Sequence, residues 1–177
     1  MAQNRYIKDY RLVETVDERG RIRTDYEYIA EPWYYENGPE WPRRAKKTAL
    51  LLCAAGWLAF LGALLPNSRG MHTLFVSMPF VFAALPLGLL TETLISAVPK
   101  AEPFEHRQAD KLTNRYPVVS LAAAALPLIS LLGELINLLR GYVLNGGDIL
   151  FSLCAAILSA CGFAAFSLRG RFAVRRG

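Results

Sequence analysis

Four apolar runs, each about as long as a helix needs to cross a bilayer, dominate this 177-residue chain. A crossing helix takes about 20 mostly apolar residues. The runs fall at about 48–65, 71–97, 118–139 and 149–168. They are too long for buried strands, and four of them in so short a chain cannot share one soluble core. In lipid the backbone finds no water to bond, so each run must be helical. The expected fold is mainly α, a four-helix transmembrane bundle filling 48–168 with a small β-hairpin ahead of it.

Lys and Arg assign the sides. Arg43, Arg44, Lys46 and Lys47 precede the first run; Lys100, Arg107, Lys111 and Arg115 lie between the second and third; Arg169, Arg171, Arg175 and Arg176 follow the fourth. The other two connections hold only Arg69 and Arg140, so 18 of the 20 basic residues fall on one set of sides. Cytoplasmic loops retain positive charge, which predicts both termini in the cytoplasm. Composition resembles that of small polytopic bacterial proteins and points to a plasma membrane. The net charge of +5 sits beside apolar segments and faces anionic lipid, so nucleic acid is excluded as a partner. No apolar run opens the chain as a cleavable signal would.

Residues 1–47 form a cytoplasmic tail, and 169–177 a basic one. Ile22, Thr24, Tyr26 and Tyr28 alternate with Arg21, Arg23, Asp25 and Glu27, the period of a two-faced strand. Tyr10–Val16 is rich in β-formers, and Asp17-Glu18-Arg19-Gly20 reads as a turn. A hairpin over about 10–28 follows; if Val16 opposes Arg21, Glu14 opposes Arg23. Isolated hairpins are marginal, so something must cover the aromatic face. Tyr10, Tyr26, Tyr28 and Trp33 are candidates for docking a protein partner, or else pack on each other and on the membrane surface. Pro32, Pro39 and Pro42 predict an irregular, stiff lead into the first span. In the central loop, Phe104, Gln108, Leu112 and Tyr116 recur every four residues, permitting a short helix on the interface. His106 stands alone there and reads as solvated surface.

Ionisable residues within spans are the default functional candidates. Within the apolar runs these are Glu92, near the cytoplasmic end of the second span, and Glu134, five positions before the outer end of the third. At 1.5 Å per residue that puts Glu134 roughly 8 Å below the outer boundary. The two carboxylates are too far apart for one acid–base pair. Ser130, Glu134 and Asn137 share a helix face with Pro127, and His72 is expected at a similar depth as a partner. Such a stripe bonds helix to helix or lines a small cavity. Pro79 and Pro86 are expected to kink the second span. Ala55/Ala59/Ala63 and Ser152/Ala156/Ala160/Ala164 form small-residue ladders, whose contacts lie within one chain or between copies of a homo-oligomer.

Cys53, Cys154 and Cys161 lie in apolar runs without CxxC spacing, which disfavours disulfide and zinc frameworks. No phosphate loop, GxSxG or HExxH occurs, and neither metal nor cofactor is expected. The leading expectation is a non-catalytic accessory, regulatory or scaffold protein that engages a partner through its cytoplasmic tail. The alternative is a small oligomeric transporter or channel using the third-span stripe. An enzyme ranks last, for lack of a convergent nucleophile and base.

Overall fold

The computed structural model describes residues 7–16, 22–36, 38, 40–98 and 103–176. Four helical stretches are long and apolar enough to cross a membrane: Glu40–Leu64, Leu74–Ala97, His106–Leu139 and Gly146–Phe172. The first is a single helix, α1. The second divides into α2 (Leu74–Phe82) and α3 (Ala84–Ala97). The third comprises α4 (His106–Asp110), a π-helical turn at Lys111–Arg115, and α5 (Tyr116–Leu139). The fourth is α6 (Gly146–Ser167), closed by a 3₁₀ turn at Leu168–Phe172.

The spans form a closed ring: α1 lies against α6 and α3, α6 against α5, and α5 against α2 and α3. Leu51, Leu58, Leu74, Leu85, Ile95, Val118 and Leu132 all point outward. The buried set includes Ser120, Ser130, Glu134, Asn137 and Ser159. Apolar outside and polar inside suits lipid, because a water-soluble monomer rarely exposes so much contiguous apolar surface. One core cluster holds Phe60, Phe80, Phe151 and Leu158, with Phe60 stacked on Phe80 at 5.1 Å and Phe80 edge-on to Phe151 at 5.0 Å. A second cluster, nearer the chain ends, holds Tyr35, Leu94, Phe104, Tyr116 and Phe172.

Close helix approach depends on small residues. A β-carbon on Gly162 would lie 2.6 Å from the Ala124 nitrogen and 2.7 Å from its Cα. Nearby, the Ser159 hydroxyl donates to the Ala124 carbonyl at 2.9 Å. The ladders behave differently from one another. Ala59 and Ala63 are buried while Ala55 is exposed, and on α6 both Ala156 and Ala160 face outward.

Proline chemistry explains the helix irregularities. Pro86 has no N–H for the Phe82 carbonyl, and the helix is interrupted at Ala83. Pro117 cannot bond the Thr113 carbonyl and its ring crowds it. The preceding turn widens, so that the Tyr116 N–H reaches the Lys111 carbonyl. The third helix therefore begins at His106, not Val118, and the expected interfacial helix is its first turns, with Leu112 and Tyr116 buried in the bundle. The first helix likewise begins at Glu40, ahead of the expected 48, because Pro42 falls in its first turn, where no intrahelical N–H is needed.

Strands β1 (Tyr10–Val16) and β2 (Ile22–Tyr28) pair antiparallel, with Tyr10 opposite Tyr28 and Val16 opposite Ile22. This corrects the expected register by one residue: Glu14 faces Thr24, not Arg23. A one-residue slip would move every side chain to the other face, and this register, unlike the expected one, puts Tyr10, Leu12, Tyr26 and Tyr28 on one side. The turn itself, 17–21, lies outside the described residues. Strand β3 (Trp33–Tyr35) pairs antiparallel with β4 (Val174–Arg176), and Trp33 also bridges to Phe104. The N-terminal region, the central loop and the C-terminal strand thus meet at one end of the bundle.

Candidate functional site

At the opposite end, the loop 66–73 and the starts of α2 and α6 close over α5. The start of α6 is fixed by a capping box: the Asn145 Oδ1 accepts from the Asp148 N–H at 2.8 Å, and the Asp148 Oδ2 from the Asn145 N–H at 2.9 Å. Asp148 Oδ1 also accepts from the Ser68 hydroxyl at 2.9 Å, the Arg69 N–H at 2.8 Å and the Gly70 N–H at 3.5 Å. These donors and the positive helix terminus suit a buried anion. Asp148 and Ser68 escaped the sequence reading, although Asn145-Gly-Gly-Asp148 before an apolar run is a capping signature.

Ser130, Glu134 and Asn137 project from α5 into this end, with relative exposures of 0%, 6% and 3%. The Ser130 hydroxyl donates to its own helix, at the Leu126 carbonyl, 3.3 Å away. The Asn137 Nδ2 donates to the Thr73 Oγ1 at 3.4 Å, and that hydroxyl donates to the Gly70 carbonyl at 2.6 Å. Asn137 and Ser68 flank the Glu134 carboxyl, and Asp148 acts on it through space. No donor among the described residues bonds the Glu134 Oε1. Gly70 packs so closely on this carboxyl that a β-carbon there would overlap it. His72, expected as a partner, is exposed, and its Nε2 lies 3.3 Å from the Asn67 Oδ1. It lines a shallow cleft with Arg69, Gly141, Tyr142 and Val143. Arg69 and His72 border the cleft, and Gly70, between them in the loop, covers the acid.

Most of the tyrosine-rich face is spent on the chain itself. The Tyr10 hydroxyl donates to the Glu105 Oε2 at 2.6 Å, and the His106 N–H donates to the Tyr28 oxygen at 3.0 Å. Burial and the Glu105 carboxylate push the Tyr10 hydroxyl up to about 12. Trp33 stacks with the His106 ring at 5.7 Å and has the Arg176 guanidinium over its ring at 5.2 Å. His106 Nδ1 lies 3.1 Å from the Asp9 Oδ2, so this residue is a clamp between loop and hairpin rather than solvated surface. Tyr26 and its cross-strand partner Leu12 remain exposed, at 71% and 62%.

Glu92 is held by Lys111 and Arg115, each at 2.8 Å, and by the Ser96 hydroxyl at 2.9 Å. Among the described residues no three His, Cys, Asp or Glu side chains are grouped as a metal ion requires. No protein-family model, no curated protein and no solved structure matches the chain.

Proposed function

We propose that the chain is a non-catalytic multi-pass membrane protein that presents a cytoplasmic platform to a protein partner, with both termini cytoplasmic. The carrying observation is the interlock of hairpin, central loop and C-terminal strand, which leaves Leu12 and Tyr26 paired and exposed. Rigid support is what a docking surface needs, since ordering a loose hairpin on binding would cost affinity. The asymmetry of Lys and Arg supports the orientation. The double variant Leu12→Ser/Tyr26→Ser removes only the outward pair. Its expected effect is loss of the co-purifying partner with insertion intact; an unchanged partner set refutes the platform.

A second reading, a small oligomeric transporter, draws support from the buried polar cluster around Glu134 and from the outward Ala156/Ala160 surface. Glu134→Gln separates the two readings: a transporter loses proton-coupled flux, whereas a platform protein keeps its partner.

A further inference from the structure

We infer that Glu134 is a proton-binding site and that the fold is built around its neutral form. The assignment concerns the carboxyl that the second reading would use, and it is tested by protonation alone, whether or not the chain transports. Three observations carry it. First, Glu134 is 94% buried by its relative exposure of 6%, yet Oε1 has no donor. A buried carboxylate oxygen without a donor is costly for a fold to hold. Second, Ser68, one of its two polar neighbours, has committed its proton elsewhere. The single hydroxyl proton of Ser68 goes to Asp148, so towards Glu134 the Ser68 oxygen offers lone pairs. Asn137 gives one of its two amide protons to Thr73 and turns the other toward the carboxyl, which still leaves Oε1 without a donor. Third, Asp148 is the nearby anion and is itself saturated with donors, so it remains charged and repels a second negative charge.

A carboxylic acid reverses each problem. It carries no charge to repel Asp148, and its O–H is a donor facing an oxygen that can only accept. Proton uptake forms one O–H bond on Glu134 and breaks none in the protein. Gly70 is what admits the acid so close to the loop. The charged group acting on it is Asp148 from α6; Arg69 and His72, on the loop, are turned to the cleft instead. Among the described residues α2 contributes only neutral side chains.

The test is infrared difference spectroscopy of the full chain in lipid nanodiscs, with pH raised from about 5 to about 10, a span covering documented buried carboxyls. The expected result is a protonated-carboxyl band that disappears as pH rises and is absent at every pH in Glu134→Gln. The inference is overturned if no such band appears, or if the band survives in Glu134→Gln. Should that variant fail to fold, carbon-13 labelling of the glutamate carboxyls in the natural chain decides instead. One glutamate band titrating apart from the solvent-exposed ones supports the site, and none overturns it.

Discussion

Gly162→Ala adds one methyl group at a close crossing of α5 and α6. Its β-carbon would sit 2.6 Å from the Ala124 nitrogen and 2.9 Å from the Ala123 carbonyl carbon, where ordinary contact begins at 3.4 Å. Backbone cannot swing aside as a side-chain tip can, so α5 and α6 must separate by most of an ångström. A gap of about 0.5–1 Å forfeits a quarter to a half of each contact it opens. Overpacking costs about 1–3 kcal/mol, and the crossing of two backbones places this case at the upper end. Alanine returns about 1 kcal/mol of helix propensity, leaving a net loss of about 2 kcal/mol. Gly88→Ala is the control: its β-carbon would meet only the Trp57 ring at 3.9 Å, so it keeps the gain of about 1 kcal/mol. Denaturation in mixed detergent micelles should thus separate the two variants by about 3 kcal/mol, in opposite directions from the parent. Equal effects would refute the α5–α6 packing.

Other perturbations read other parts of the fold. Asn145→Ala removes the cap of α6 and should cost about 1 kcal/mol in the same assay. Tyr116→Phe deletes a buried hydroxyl that donates to the Ala165 carbonyl at 2.6 Å; because that carbonyl also accepts from the Leu168 N–H, the cost is expected near 1 kcal/mol. Tyr10 favours its neutral form when docked: folding raises it from 10.0 to about 12. The stabilisation is therefore full below pH 10.0 and lost as pH rises towards about 12. Ultraviolet titration should show a tyrosine titrating at about 12 that is missing in Tyr10→Phe, and an unchanged profile in that variant would count against the Tyr10–Glu105 contact.

The spans were readable because hydropathy and charge are local, additive signals, and lipid enforces helix wherever they are strong. The hairpin was readable from its period-two pattern, but its register was set by assuming a four-residue turn. Placing Tyr10 and Leu12 on the same face as Tyr26 and Tyr28 requires an even offset, and that constraint was already present in the residues. Asp148 stands one residue ahead of the apolar run, so the hydropathy pattern of the span does not mark it. Ser68 and Gly70 carry no local signal; only tertiary folding brings their loop over Glu134. Strand β4 is three residues long and exists only because β3 is there to pair with it. His106 was judged by its sequence neighbours, whereas its partners Asp9, Tyr28 and Trp33 come from about 70–100 residues away.

The central claim is a four-span bundle with the hairpin, central loop and C-terminal strand on one membrane face. Single cysteines placed at Glu36, Arg107 and Arg169, and at Asn67 and Val143, in a chain lacking Cys53, Cys154 and Cys161, report it directly through a membrane-impermeant thiol reagent. All five positions are exposed. In intact cells Asn67→Cys and Val143→Cys should react while the other three stay protected until the membrane is opened. Labelling of Arg107→Cys from the same side as Val143→Cys would contradict the account.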